Sequence, residues 1–220
     1  MCMRYSLTHT EDFVSVFGIS CSGMSDRYNI SPTQDAPIIV AEGGSISCIN
    51  ARWGLVPSWK KDAECGEWLM NACSETLTEK SAFVDLVRHS RCIIPASGFY
   101  EWKKERGISH PFYFTLPSRP LFGLAGLYDW WTNPESGIPK ATFTLITCPS
   151  NDLVGRIHNR MPVILNKEGV PLWLAGPYAP EVLQPYPDAR MAVQQVSQMV
   201  NNSAYEGAEC IQETGKCDWW

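Results

Sequence analysis

Sixteen prolines and sixteen glycines, spread along all 220 residues, constrain this chain more than any other feature. Proline removes a backbone donor and clashes with the preceding helical turn, while glycine weakens the interiors of helices and strands. A chain punctuated this densely is cut into short elements. Runs rich in β-branched and aromatic residues lie between the breaks, over 38–41, 92–95, 99–103, 111–116, 121–127, 142–147, 162–165 and 192–196, and predict strands. Short turns between several of them favour antiparallel pairing. Helix signals are fewer. Thr10-Glu11-Asp12 ahead of Phe13, Val16 and Phe17, with Gly18 behind, predicts a short capped helix. Phe83, Leu86 and Val87 predict a second helix over 78–89. Strands and helices do not alternate, which excludes a doubly wound fold. The expectation is one α+β domain rich in antiparallel sheet, barrel-like, with peripheral helices.

The chain is long enough to bury a core without covalent staples. Its nine cysteines are odd in number and contain no C-x-x-C, so a disulfide scaffold or zinc knuckle is not expected. They read as small buried hydrophobes in a reducing compartment. No apolar run reaches the roughly 20 residues of a membrane span, and Met1-Cys2-Met3-Arg4 does not open a signal peptide. A cytoplasmic protein with no membrane partner is expected. G-x-G-x-x-G, P-loop and H-E-x-x-H motifs are all missing, so neither cofactor nor metal is expected.

The net charge of −5 argues weakly against nucleic acid, but the charge is uneven. Through Leu165 there are 15 Lys/Arg against 16 Asp/Glu; after it, 3 against 7. The chain divides accordingly into residues 1–202 and an acidic tail, 203–220, expected to be poorly ordered. Arg88, Arg91, Lys103, Lys104 and Arg106 suggest a local basic face.

Chemistry starts at Cys2. Removal of Met1 leaves an α-amine and a thiol on adjacent carbons, with ordinary pKa values near 7.7–8.0 and 8.5. Such an aminothiol suits aldehydes. The amine forms a Schiff base, and the tethered thiol closes a five-membered thiazolidine at high effective concentration.

Six segments surround this residue type with a characteristic order: Met1-Cys2-Met3-Arg4-Tyr5, Tyr28-Asn29-Ile30-Ser31-Pro32-Thr33, Arg52 to Trp59, Asn71-Ala72-Cys73-Ser74-Glu75-Thr76, Pro95 to Trp102, and Ile157 to Leu165. Together they closely resemble the SRAP family, the SOS-response-associated peptidase-like proteins that sense abasic sites. The resemblance runs from Cys2 to about Asn201. It implies a DNA damage response protein that binds abasic sites in single-stranded DNA, or at junctions with duplex, acting as a monomer and nucleoid-associated once crosslinked. The ring-opened sugar aldehyde is captured on Cys2 as a thiazolidine crosslink after the protein removes its own Met1.

By the same resemblance, Cys2 is the nucleophile, Asn71 orients the aminothiol or sugar, Glu101 is the general acid/base and His158 assists Schiff-base chemistry. Arg4, Thr147 and Arg160 contact the DNA backbone, and Pro32 and Trp59 wedge against exposed bases. Trp53 reads instead as a core aromatic. Two departures stand out: Met3 replaces a family glycine beside the nucleophile, and Cys73 replaces a phosphate-contacting arginine. The second predicts weaker, less salt-dependent DNA binding, and Cys73→Arg is expected to steepen the salt slope. Two other functions use the same residues. An N-terminal-nucleophile thiol peptidase or amidohydrolase would act through Cys2, Glu101 and His158, and a non-covalent DNA binder would not need Cys2.

Overall fold

In a computed structural model, which describes residues 2–62 and 69–215, the short elements assemble into two sheets. The first contains a closed ring. Strands β3 (Asp35–Glu42) and β4 (Ser45–Trp53) form a hairpin, closed by Gly43 and Gly44 at φ of 58° and 82°, a turn that L side chains resist. Strand β3 also pairs with β6 (Arg91–Ala96), β6 with β9 (Phe122–Thr132), and β9 with β10 (Pro139–Pro149). A parallel pairing of β10 with β4 completes the barrel, at Thr142↔Arg52 and Phe143↔Trp53.

Three short strands extend this ring. Strand β5 (Asn71–Cys73) lies parallel to β10, β11 (Arg160–Pro162) antiparallel to it, and β12 (Ile164–Leu165) beside β9. The expected strand over 162–165 is therefore two strands. At Val163 the chain changes partner: its N–H donates to Ile146 of β10, and its carbonyl accepts from Ala125 of β9.

The second sheet runs in the order β13 (Ala192–Gln195), β8 (Ile108–Thr115), β7 (Gly98–Glu105), β1 (Tyr5–Leu7), β2 (Arg27–Ile30). All its pairings are antiparallel, and β1 is held on both sides. The core fills the barrel and the space toward this sheet. Trp53 is fully buried there, edge-on to Tyr5 at 5.2 Å between ring centroids and stacked on Phe143, with its indole N–H on the Met70 carbonyl. It is the core aromatic that its setting predicts.

Helices are peripheral and shorter than expected. Only α1 (Phe13–Phe17), α2 (Leu86–His89), α3 (Asp152–Gly155) and α4 (Gly169–Ala175) are α-helical among the described residues. Over 78–89, turns bonded to Lys80 precede α2; Phe83 and Val87 still face the core, so the apolar spacing serves a succession of turns. Before α1 the hydroxyl of Thr10 donates to Asp26 and caps no helix.

Two other expectations are corrected. The tail segment 203–215 folds back onto the second sheet. Glu206 pairs with Arg27 at 2.7 Å, and the Asn29 amide donates to the carbonyls of Val200, Asn202 and Tyr205. Cys210 is buried there, so acid that looked solvating finds cationic and amide partners. The cysteines are also not all reduced. Cys21, between α1 and β2, is disulfide-bonded to Cys48 on β4, because the pairing of β3 with β4 brings that strand under the loop. Cys2, Cys92, Cys148 and Cys210 are free and buried, and Cys73 is half-buried. Cys65, Cys217 and residues 216–220 lie outside the described residues.

Candidate functional site

Strand β1 carries the start of the chain into the second sheet, next to β7 and within reach of β5. Pairing of Tyr5 with Phe99 sets Cys2, Met3 and Arg4 along the Tyr100–Trp102 part of β7, where Tyr100 N–H donates to the Arg4 carbonyl. Cys2 is fully buried, and its thiol lies 3.5 Å from the Arg4 carbonyl. From β5, the Asn71 amide donates to the Cys2 carbonyl at 2.9 Å and approaches the Met3 sulfur at 3.9 Å. The Asn71 side-chain oxygen is buried and accepts no hydrogen bond among the described residues.

Glu101 projects from β7 into the same region. It is almost wholly buried, and one carboxylate oxygen has no partner among the described residues. Burial pushes its carboxyl up to about 7. Its charge acts in turn on Cys2, whose thiol is driven far above the ordinary range, first by burial and then by Glu101. Cys2 is therefore a protonated thiol beside a carboxyl poised near neutrality.

A second group gathers at the end of β10. Thr147 is flanked by Cys73 of β5 on one side and Pro162 of β11 on the other. The Arg160 guanidinium reaches back across this junction, donating to the Thr147 carbonyl at 2.7 Å and its hydroxyl at 3.3 Å. It also grips both carboxylate oxygens of Glu75, in the turn just after β5. That pairing holds the Glu75 carboxyl down at about 2. Two residues before Arg160, His158 Nδ1 lies 3.1 Å from the Arg160 backbone nitrogen and 3.2 Å from its carbonyl oxygen, accepting from the first in one tautomer and donating to the second in the other. Burial, the largest cause, lowers the His158 pKa and favours the neutral form. Asn71 and Cys73, two residues apart on β5, link this group to Cys2.

The nine residues singled out from the sequence thus separate. Cys2, Asn71 and Glu101 converge, and Thr147, Arg160 and His158 form the adjoining group. Arg4 joins the first through its backbone. Its side chain is half-buried, turned onto the Met3 carbonyl, with Nε unpartnered among the described residues. The Thr147 side chain is buried, its hydroxyl within 3.4 Å of the Ala72 carbonyl. Pro32 follows β2, on the far side of β1 from β7.

Trp59 stands apart. It is 61% exposed under the Lys60 ammonium, in a loop tied to Asp129 and Trp131 of β9. Asp129 faces Thr142 of β10, and five residues of strand, about 16 Å at the usual rise, separate Thr142 from Thr147. The suggested basic face is reduced, because Arg91 is buried and donates to the carbonyls of Val87 and Trp173. Glu75 lies inside one of the six motif segments, yet only the folded chain reveals its grip on Arg160. The one signal in the sequence is an acid placed two residues after Cys73.

Comparison with known proteins adds identity to this geometry. The family model described as "SOS response associated peptidase (SRAP)" matches residues 1–203. The abasic site processing protein YoqW of Bacillus subtilis is 39% identical over 96% of this chain and 99% of its own. The abasic site processing protein HMCES of Xenopus tropicalis is 30% identical over 86% of this chain and 68% of its own. A crystal structure of a protein from Bacteroides thetaiotaomicron has the same fold, with a TM-score of 0.86 at 24% identity, covering 96% of this chain and 99% of that one.

Proposed function

This chain belongs to the SOS response associated peptidase (SRAP) family, and we propose that it captures abasic sites in single-stranded DNA as a covalent adduct on Cys2. The observation that carries the proposal is the pairing of a buried Cys2 thiol with a Glu101 carboxyl near neutrality, one of whose oxygens is free to take or give a proton.

Hydrolysis of the Met1–Cys2 peptide bond first frees the Cys2 amine. The amine adds to the aldehyde carbon of the ring-opened sugar, giving a carbinolamine. Loss of one water leaves the imine. The thiol then adds to the imine carbon and its proton ends on the ring nitrogen, which closes the thiazolidine. Glu101, close to half protonated at pH 7, donates to the departing hydroxyl and accepts from the thiol. The Asn71 amide, already on the Cys2 carbonyl, holds the aminothiol, and its free oxygen is available to a sugar hydroxyl. His158 supplies a second proton-transfer group. Arg160 and Arg4 supply charge for flanking phosphates, and Trp59 a face for an unstacked base.

Acyl transfer by a thiol peptidase makes different demands. There the thiol attacks first, whereas here the amine attacks first and the thiol, whose pKa burial raises, acts only at ring closure, with Glu101 to take its proton.

The test incubates protein of verified mass, lacking Met1, with single-stranded DNA bearing one abasic site. A heat-stable adduct is expected with the wild type and none with Cys2→Ala. An absent wild-type adduct would refute the proposal.

A further inference from the structure

Arg160 has two kinds of partner, and they differ in freedom. Thr147 holds the guanidinium through a backbone carbonyl inside β10, where neither the strand nor its burial lets that partner leave. Glu75 holds it from outside. Its side chain is 47% exposed against 17% for Arg160, and it sits on a single helical turn with no capping bond of its own. Glu75 presents two oxygens to two guanidinium nitrogens, the same fork that a phosphate presents. Glu75 otherwise accepts only from the adjacent Ser74 hydroxyl at 3.2 Å among the described side chains, and neighbouring Cys73 carries no charge to offer it.

We propose that Glu75 is an internal stand-in for a DNA phosphate, occupying Arg160 until a backbone phosphate takes its place, and thereby setting the affinity and salt dependence of binding at this edge of the site. The proposal rests on the reading of Arg160 as a phosphate contact. Exchange leaves the guanidinium aimed, because the Thr147 carbonyl keeps its own bond. The ion count changes as well. A phosphate that binds a bare arginine releases its condensed counterions to solvent. Here the displaced Glu75 carboxylate gathers cations as the phosphate sheds them, so this contact adds little to the salt slope.

The experiment measures binding of full-length protein to a single-stranded oligonucleotide carrying a tetrahydrofuran abasic analogue. The analogue has no aldehyde, so binding is reversible at every salt concentration. Glu75→Gln is compared with Glu79→Gln, which removes the same charge from a nearby exposed acid, and with Arg160→Ala alone and combined with Glu75→Gln. Thermal melts verify that each variant is folded.

Glu75→Gln is expected to tighten binding about fivefold, the scale of a partly exposed ion pair, and to steepen the slope of log K against log salt by about 0.7. Glu79→Gln is expected to do neither, and Arg160→Ala to abolish the Glu75→Gln effect. Equal effects from the two Gln variants would reduce Glu75 to one acid among others and overturn the proposal. Weaker binding by Glu75→Gln, with Arg160→Ala also weakened, would make Glu75 a support for Arg160 and overturn it too. Equal slopes in Glu75→Gln and in the double variant would instead remove Arg160 from the phosphate contacts, the reading on which the proposal stands.

Discussion

A buried carboxyl with an unpartnered oxygen, such as Glu101, costs stability in its charged form. Its pKa is raised, so its contribution to stability is fully present below the ordinary carboxyl value and is lost as pH rises through about 7. Replacing it with a neutral isostere removes that loss. Glu101→Gln is expected to be more stable than the wild type at pH 8, by up to about 3 kcal/mol from the size of the shift, and to match it near pH 4. Urea melts at the two pH values measure this. The same variant is expected to form the DNA adduct slowly, so a gain in stability together with a loss of rate would mark Glu101 as a residue held for chemistry. Equal stability at both pH values would mean that the carboxyl is not raised. Glu75 behaves in the opposite sense. Its pKa is lowered, so its contribution is present above the ordinary carboxyl value and lost toward about pH 2, and solvent screening keeps it small at so exposed a site.

Strands β1, β7 and β8 meet in a polar knot beneath the site. The Ser6 hydroxyl is 2.8 Å from Ser97 and 2.7 Å from the Tyr113 hydroxyl, and all three are buried. The Tyr113 ring fits there only because Gly98 has no side chain; a Cβ at that position would stand 2.3 Å from the ring. Gly98→Ala is therefore expected to cost about 1–3 kcal/mol, the usual range for overpacking. Chemical denaturation checks the magnitude, and a loss under 0.5 kcal/mol would show that the ring moves aside freely. The sequence made the strongly apolar strands readable. Strands β6 and β9 announce themselves by β-branched and aromatic runs. Strands β1, β2 and β5 do not, being three or four residues long and held by partners distant in sequence. Strand β4 hides for another reason: much of its length is exposed and alternates serine and asparagine with apolar residues. The site followed the same divide. Cys2, Asn71, Glu101 and His158 could be picked out by resemblance to a family, whereas Glu75 depends on β5, β10 and β11 lying side by side.

At the scale of the whole molecule, the Cys21–Cys48 bond is a covalent tie outside the barrel's hydrogen-bonded ring, and it closes a segment with a sequence separation of 27. By loop-closure entropy it is worth about 3.5 kcal/mol, so reduction is expected to lower the melting temperature without abolishing the fold. Peptide mapping of the unreduced, denatured protein checks the bond itself: a linked Cys21–Cys48 peptide is expected, lost on reduction. Its absence before reduction would mean that the two sulfurs merely lie close. The position of β1 has a mechanical consequence. If Cys2 carries DNA as proposed, the nucleic acid pulls on the first residues of a strand with a neighbour on each side, β2 and β7. Load applied there does not spread through the barrel. It enters at one end of β1 and peels away a few hydrogen bonds at a time, beginning with the residues that make the site. Any machine that draws in the DNA would thus unravel the reactive sheet first, leaving the closed barrel to yield last.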